Sequence, residues 1–147
     1  GQIQRYMNKI SGPLLDRIDI QCEITPVPFK DISKAAQGEP SAEIRKRVIR
    51  AREIQAERFS GQKGIHCNAQ MSERMIHQYA EPDEAGISML RMAMERLSLS
   101  ARAYNRILKV ARTIADLEGC EHVESHHLAE AIGYRTLDRG DWAERGI

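Results

Sequence analysis

Two arginines sit where an arginine can do chemistry. Residues 98–119 read SLSARAYNRILKVARTIADLEG, a helix signal with Ser100 as N-cap and Gly119 as C-terminal stop. Arg102 falls in the first turn. A helix N-terminus attracts anions through its free N–H groups, so a cation there works against helix stability. A phosphate nearby would account for it. Arg17 lies between Asp16 and Asp19, after the Gly12-Pro13 break and ahead of an alternating apolar run. An arginine held at an element boundary suits a phosphate, because its planar fork donates bidentate bonds and stays charged. In nucleoside triphosphatases such arginines stabilise charge that develops on the transferred phosphoryl group. A solvated arginine on a polar face is the commoner state of either residue on spacing alone.

Other chemistry has less support. Cys120, His122, His126 and His127 cluster in sequence, but zinc wants paired ligands. Adjacent histidines at a helix start are expected to point apart, and no metal ligand is assigned. Ser11, Ser60, Ser98 and Ser100 have no nucleophile-elbow context, and Cys67 beside His66 is not a working pair by adjacency. Neither GxxxxGK[ST] nor GxGxxG occurs, so the chain has no evident phosphate cradle of its own.

Helices must position these residues. In the 98–119 segment Tyr104, Ile107, Leu108, Ala111, Ile114 and Ala115 share one face. Arg102, Asn105, Arg106, Lys109 and Thr113 share the other. A helix is also expected over 2–9, stopped by Gly12-Pro13. Residues 18–24, IDIQCEI, alternate as a strand does, with Ile18, Ile20, Cys22 and Ile24 on one face. That strand has no evident partner in the chain. Residues 25–40 hold three prolines and read as a linker. Ser41 is expected to cap a helix to about Phe59, buried through Ile44, Val48, Ala51 and Phe59. Six basic and three acidic residues leave that helix at +3. A short helix follows from the Ser72 cap to about Ala80. The next covers 85–97, with Ile87, Leu90, Met94 and Leu97 inward. Ser125 caps a last helix to about Tyr134, and the polar end after Asp138 is expected to fray.

Composition sets outer limits. The chain has 147 residues, enough for one domain with a core, and is 41% hydrophobic and 29% charged. Aromatics are sparse at 5%, and six methionines fit Leu/Ile/Ala/Met helix packing. A net charge of +1 gives no global attraction to nucleic acid. No apolar run reaches membrane-spanning length and no signal peptide opens the chain. Three well-separated cysteines argue against a disulfide framework and for a reducing, cytoplasmic setting. The opening residues read as the middle of something larger.

Several blocks carry a resemblance. They are 9–20 (KISGPLLDRIDI), 38–41 (GEPS), 68–71 (NAQM), 99–117 (LSARAYNRILKVARTIADL) and 131–139 (AIGYRTLDR). Together they resemble, in order and over nearly the whole chain, the C-terminal part of magnesium-chelatase-like AAA+ ATPases of the bacterial YifB/ComM type. The resemblance implies a mainly α fold: residues 1–24 end the ATPase core, 25–40 link, 41–138 form a helical lid bundle, and 139–147 trail. It makes 18–24 the last strand of a parallel sheet. It implies that Arg17 is similar to an arginine finger offered to a neighbouring subunit, and Arg102 to a sensor-2 arginine that binds nucleotide. It further implies ATP and Mg2+ in the full-length protein, a hexameric ring of identical subunits, and a DNA-acting, branch-migration type of motor. Walker A, Walker B and sensor 1 are missing here, so no bound cofactor and no ATPase activity are expected of this chain alone. Whether Arg102 serves its own subunit's nucleotide or a neighbour's stays open, as does the substrate. Two rivals remain: a stand-alone helical module binding DNA or a protein through the +3 helix, and a small metal-binding domain.

Overall fold

A computed structural model describes residues 5, 9–22, 24, 26–29 and 38–135. Six α-helices appear among them: α1 (Gly12–Leu15), α2 (Ser41–Arg58), α3 (Glu73–Tyr79), α4 (Glu84–Leu97), α5 (Ala101–Glu118) and α6 (Ser125–Gly133). A 3-10 turn at Asn68–Gln70 lies between α2 and α3. The fold is mainly α, as expected. The expected helix over 2–9 and the linker over 25–40 lie largely outside the described residues, and the tail after Asp138 lies wholly outside them.

Helix α5 is the axis of the bundle. It packs against α2, α3, α6 and the 3-10 turn, while α4 reaches the core through α6. Its apolar stripe explains this: Ile107, Leu108, Ala111, Ile114 and Ala115 are buried, as is Ala103. The alanines remove bulk where neighbours cross, and Leu128 and Ala131 of α6 are buried in the same core. Phe59, Met71, Met75, Ile76, Leu90 and Val123 complete it. Ser100 caps α5 by accepting from the Ala103 N–H at 3.2 Å. Gly119, at φ 77°, ends it, with Gly119 N–H on Asp116 O at 3.2 Å and Cys120 N–H on Ala115 O at 2.8 Å. A second close approach occurs at Gly86, where a Cβ would stand 2.7 Å from Pro82 Cβ and from Leu128 Cδ1.

Several local expectations are corrected. The described residues of 18–24 form no strand. An isolated strand is unstable without a sheet, and here Gln21 N–H instead donates to Tyr134 O at 3.0 Å. Ser41 and Ser125 are first helical residues, not caps. Pro40 precedes α2 without a side-chain bond, and Glu124 caps α6 in a reciprocal box with His127. Ile44 and Val48 of α2 are 43% and 40% exposed, so its expected apolar face is buried only at Ala51 and the following Phe59. The C-terminal end of α2 is the end tied to α5, through Arg58 and Asp116, and its first turns run past that contact. In α4 Leu90 is buried, but Ile87 is 41% exposed because Gly86 takes the inward position.

Candidate functional site: a cationic cleft along α5

The polar stripe of α5 lines a cleft of about 570 Å³. Arg102, Asn105, Arg106, Lys109 and Thr113 form one wall, Val110, Ile114 and Leu117 add an apolar strip, and Asp19, Ile20 and Tyr134 face them. The three cations differ in commitment. Arg106 pairs with Asp19. Lys109 Nζ donates to Ala69 O at 2.8 Å, and burial, seconded by the Arg106 charge, pulls its pKa down. Arg102 is exposed and makes no hydrogen bond or ion pair with any described residue. A guanidinium beside a helix N-terminus with no internal partner is available to an anion.

Arg17 is exposed and folds back on its own turn, donating to Pro13 O at 2.9 Å. It does not line the cleft. Its neighbours do approach α5, however. Asp16 Oδ2 accepts from Ser100 Oγ at 2.9 Å, and Asp19 meets Arg106 one helical turn beyond Arg102. Arg135, buried at the end of α6, donates to Ile18 O and stands 3.8 Å from Asp16 Oδ1. Segments that are far apart in sequence, LDRIDI, SARAYNR and AIGYR, therefore meet at one place.

Residues 38–135 match the family described as magnesium chelatase, subunit ChlI C-terminal, and residues 1–32 match magnesium chelatase, subunit ChlI. The chain belongs to the magnesium chelatase ChlI family. It is 42% identical over 139 residues to the competence protein ComM of Haemophilus influenzae, covering 94% of this chain and 26% of that protein. It is 40% identical over 139 residues to the protein YifB of Escherichia coli, with the same coverage. A Mycobacterium tuberculosis protein is 36% identical over 132 residues, covering 90% of this chain and 26% of its own length. The chain thus spans about a quarter of the curated relatives it matches.

In this magnesium-chelatase C-terminal bundle, a buried polar network escaped the sequence reading. Asp116, fully buried, accepts from Arg58 Nη1 at 2.7 Å, from Asn68 Nδ2 at 2.8 Å and from Arg112 Nε at 3.1 Å. Arg112 also donates to Glu121 O at 2.7 Å and Cys120 O at 2.5 Å, and burial pulls its pKa down against the opposing charge of Asp116. Asn68 N–H donates to Gln55 Oε1 at 3.0 Å. The available signal was the four-residue spacing of Arg112 and Asp116 beside the apolar stripe.

The cysteine–histidine cluster is resolved differently from expectation. His126 and His127 do not point apart: their Nε2 atoms lie 2.9 and 3.1 Å from the same Glu118 oxygen. Donor atoms of Glu118, Cys120 and His127 lie within 4.8 Å of one another. Yet His127 Nδ1 accepts from the Glu124 N–H at 2.9 Å, so the ring proton sits on Nε2 and donates to Glu118. A metal on Nε2 would have to displace that proton and break the cap, so the geometry suits a capping role. All three cysteines of the family member are free thiols, and among the described residues no helix is long and apolar enough to cross a membrane.

Proposed function

We propose that this chain is the lid of a ring-forming AAA+ ATPase and that Arg102 is its sensor-2-like arginine. The observation that carries this is Arg102 itself: uncommitted, exposed, at the start of α5 and on the lip of the cleft. Arg17 serves as the arginine-finger-like residue toward the nucleotide of a neighbouring identical subunit in a hexamer. When bound, ATP with Mg2+ supplies the phosphoryl group that is cleaved. The residues here fit only part of that ligand. Arg102 offers a bidentate donor for phosphate oxygens, while the phosphate cradle must come from an ATPase core. Arg102 binds and orients, and its fixed charge offsets negative charge developing on the phosphate. Movement of the bundle carries that charge to or from the site, which couples turnover to subunit motion in the ring. The motor acts on DNA in this proposal; support for that comes from relatedness to a competence protein, not from the cleft.

The test is Arg102→Ala in the full-length protein. Loss of one preorganised donor is expected to lower ATP turnover roughly 10²-fold. The melting temperature should hardly move, because the side chain is exposed and makes no hydrogen bond or ion pair with any described residue. Wild-type turnover in that variant rejects the sensor assignment.

A further inference from the structure

The turn bearing Arg17 and the helix bearing Arg102 are clipped together by the two carboxylates that flank Arg17. Ser100 Oγ plays two parts at once. It accepts from the Ala103 N–H at 3.2 Å as the cap of α5, and its hydroxyl donates to Asp16 Oδ2 at 2.9 Å. The residue that starts α5 is thereby bound to the residue before Arg17. Asp19, two residues after Arg17, pairs with Arg106, one turn after Arg102. The Gln21 N–H on Tyr134 O at 3.0 Å and Arg135 on Ile18 O hold the rest of the strap against the end of α6. Each functional arginine is therefore bracketed by residues bound to the other's element.

We propose that Asp16 and Asp19 are positioning residues that lock Arg17 and Arg102 into one unit, so that neither approaches a nucleotide independently. The proposal rests on the ATPase assignment above. An exposed pair such as Asp19–Arg106 contributes little to stability, since solvent screens it and side-chain entropy opposes it. Its consequence is geometric. A displacement of about 1 Å at a catalytic group can cost on the order of 10² in rate.

The clip therefore predicts loss of turnover without loss of stability. In the full-length protein, Asp19→Asn and Arg106→Gln should each lower kcat about tenfold or more, with KM for ATP and the melting temperature nearly unchanged. The swap Asp19→Arg with Arg106→Asp should recover most of the rate. Asp16→Ala should lose rate, while Asp16→Asn, which keeps an oxygen for the Ser100 hydroxyl, should retain most of it. Arg17→Ala and Arg102→Ala are run alongside. If those two are inactive while Asp19→Asn and Arg106→Gln turn over at the wild-type rate, the clip is wrong and the ATPase assignment stands. If the single variants lose rate and the swap does not recover it, the pair is not the cause and the clip is again wrong. If Arg17→Ala and Arg102→Ala both turn over normally, the ATPase assignment falls and the proposal falls with it.

Discussion

Asp116 gathers bonds from three side chains: two arginines and the Asn68 amide. Taking a carboxylate out of water is unfavourable unless its lone pairs are filled, and here both oxygens are engaged. Removing it strands two guanidinium groups, of which Arg112 is 2% exposed. Asp116→Ala is therefore expected to destabilise the chain by about 3–5 kcal/mol, the range for breaking a buried pair from one side. Chemical denaturation of the 147-residue chain measures this; a loss under about 1 kcal/mol would mean the network carries no net strength. Arg102 stands at the opposite pole. It lies on the same helix but has no hydrogen-bond or ion-pair partner among the described residues, so under the proposed function its substitution should cost turnover where that of Asp116 costs folding.

At the scale of elements, the end of α5 is fastened to the start of α6 through Glu118. The hydrogen bonds from His126, and then His127, hold the Glu118 carboxyl below the usual carboxylate range. The same Glu118 bond raises the His126 imidazole, with Glu124 and Glu130 adding smaller pulls. The signs follow from linkage. The lowered Glu118 contributes stability present above its ordinary pKa and lost on acidification through the depressed one. The raised His126 contributes stability present below about pH 6.5 and lost as pH rises through the elevated value. Wild-type melting temperature should therefore fall as pH rises above about 6.5, and His126→Gln should flatten that slope. Thermal melts across that range decide it, and parallel curves for the two proteins would count against the fastening.

For the whole molecule, charge placement separates a lid from a DNA-binding module. The +3 helix α2 looks cationic in sequence, but three of its six cations are paired. Arg47 pairs with Glu39, Lys46 Nζ meets Glu43 at 2.7 Å, and Arg58 is drawn into the Asp116 network. With net charge +1 and half of the six α2 cations engaged, at most about three phosphates can be neutralised there. The 147-residue chain should then show a log affinity for duplex DNA that falls with log salt no more steeply than about −3. A steeper slope would restore the stand-alone DNA-binding alternative.

What the sequence by itself determined was local. A 3.6-residue period, Ser100 and Gly119 set α5 almost to the residue, because a cap, a left-handed stop and an apolar stripe are properties of contiguous chain. The mainly α class and the boundary positions of Arg17 and Arg102 were legible for the same reason. Only the tertiary structure decided who meets whom. Residues 18–24 carry a strand's alternation yet form no strand among the described residues, because alternation supplies a face and not a partner. Ile44 and Val48 share a helical face yet stay substantially exposed, because burial depends on where a second helix lies. Asp16 and Ser100 are 84 residues apart, and Arg58 and Asp116 are 58 apart. No periodicity spans such separations; bonds of that kind exist only once packing has brought their elements together.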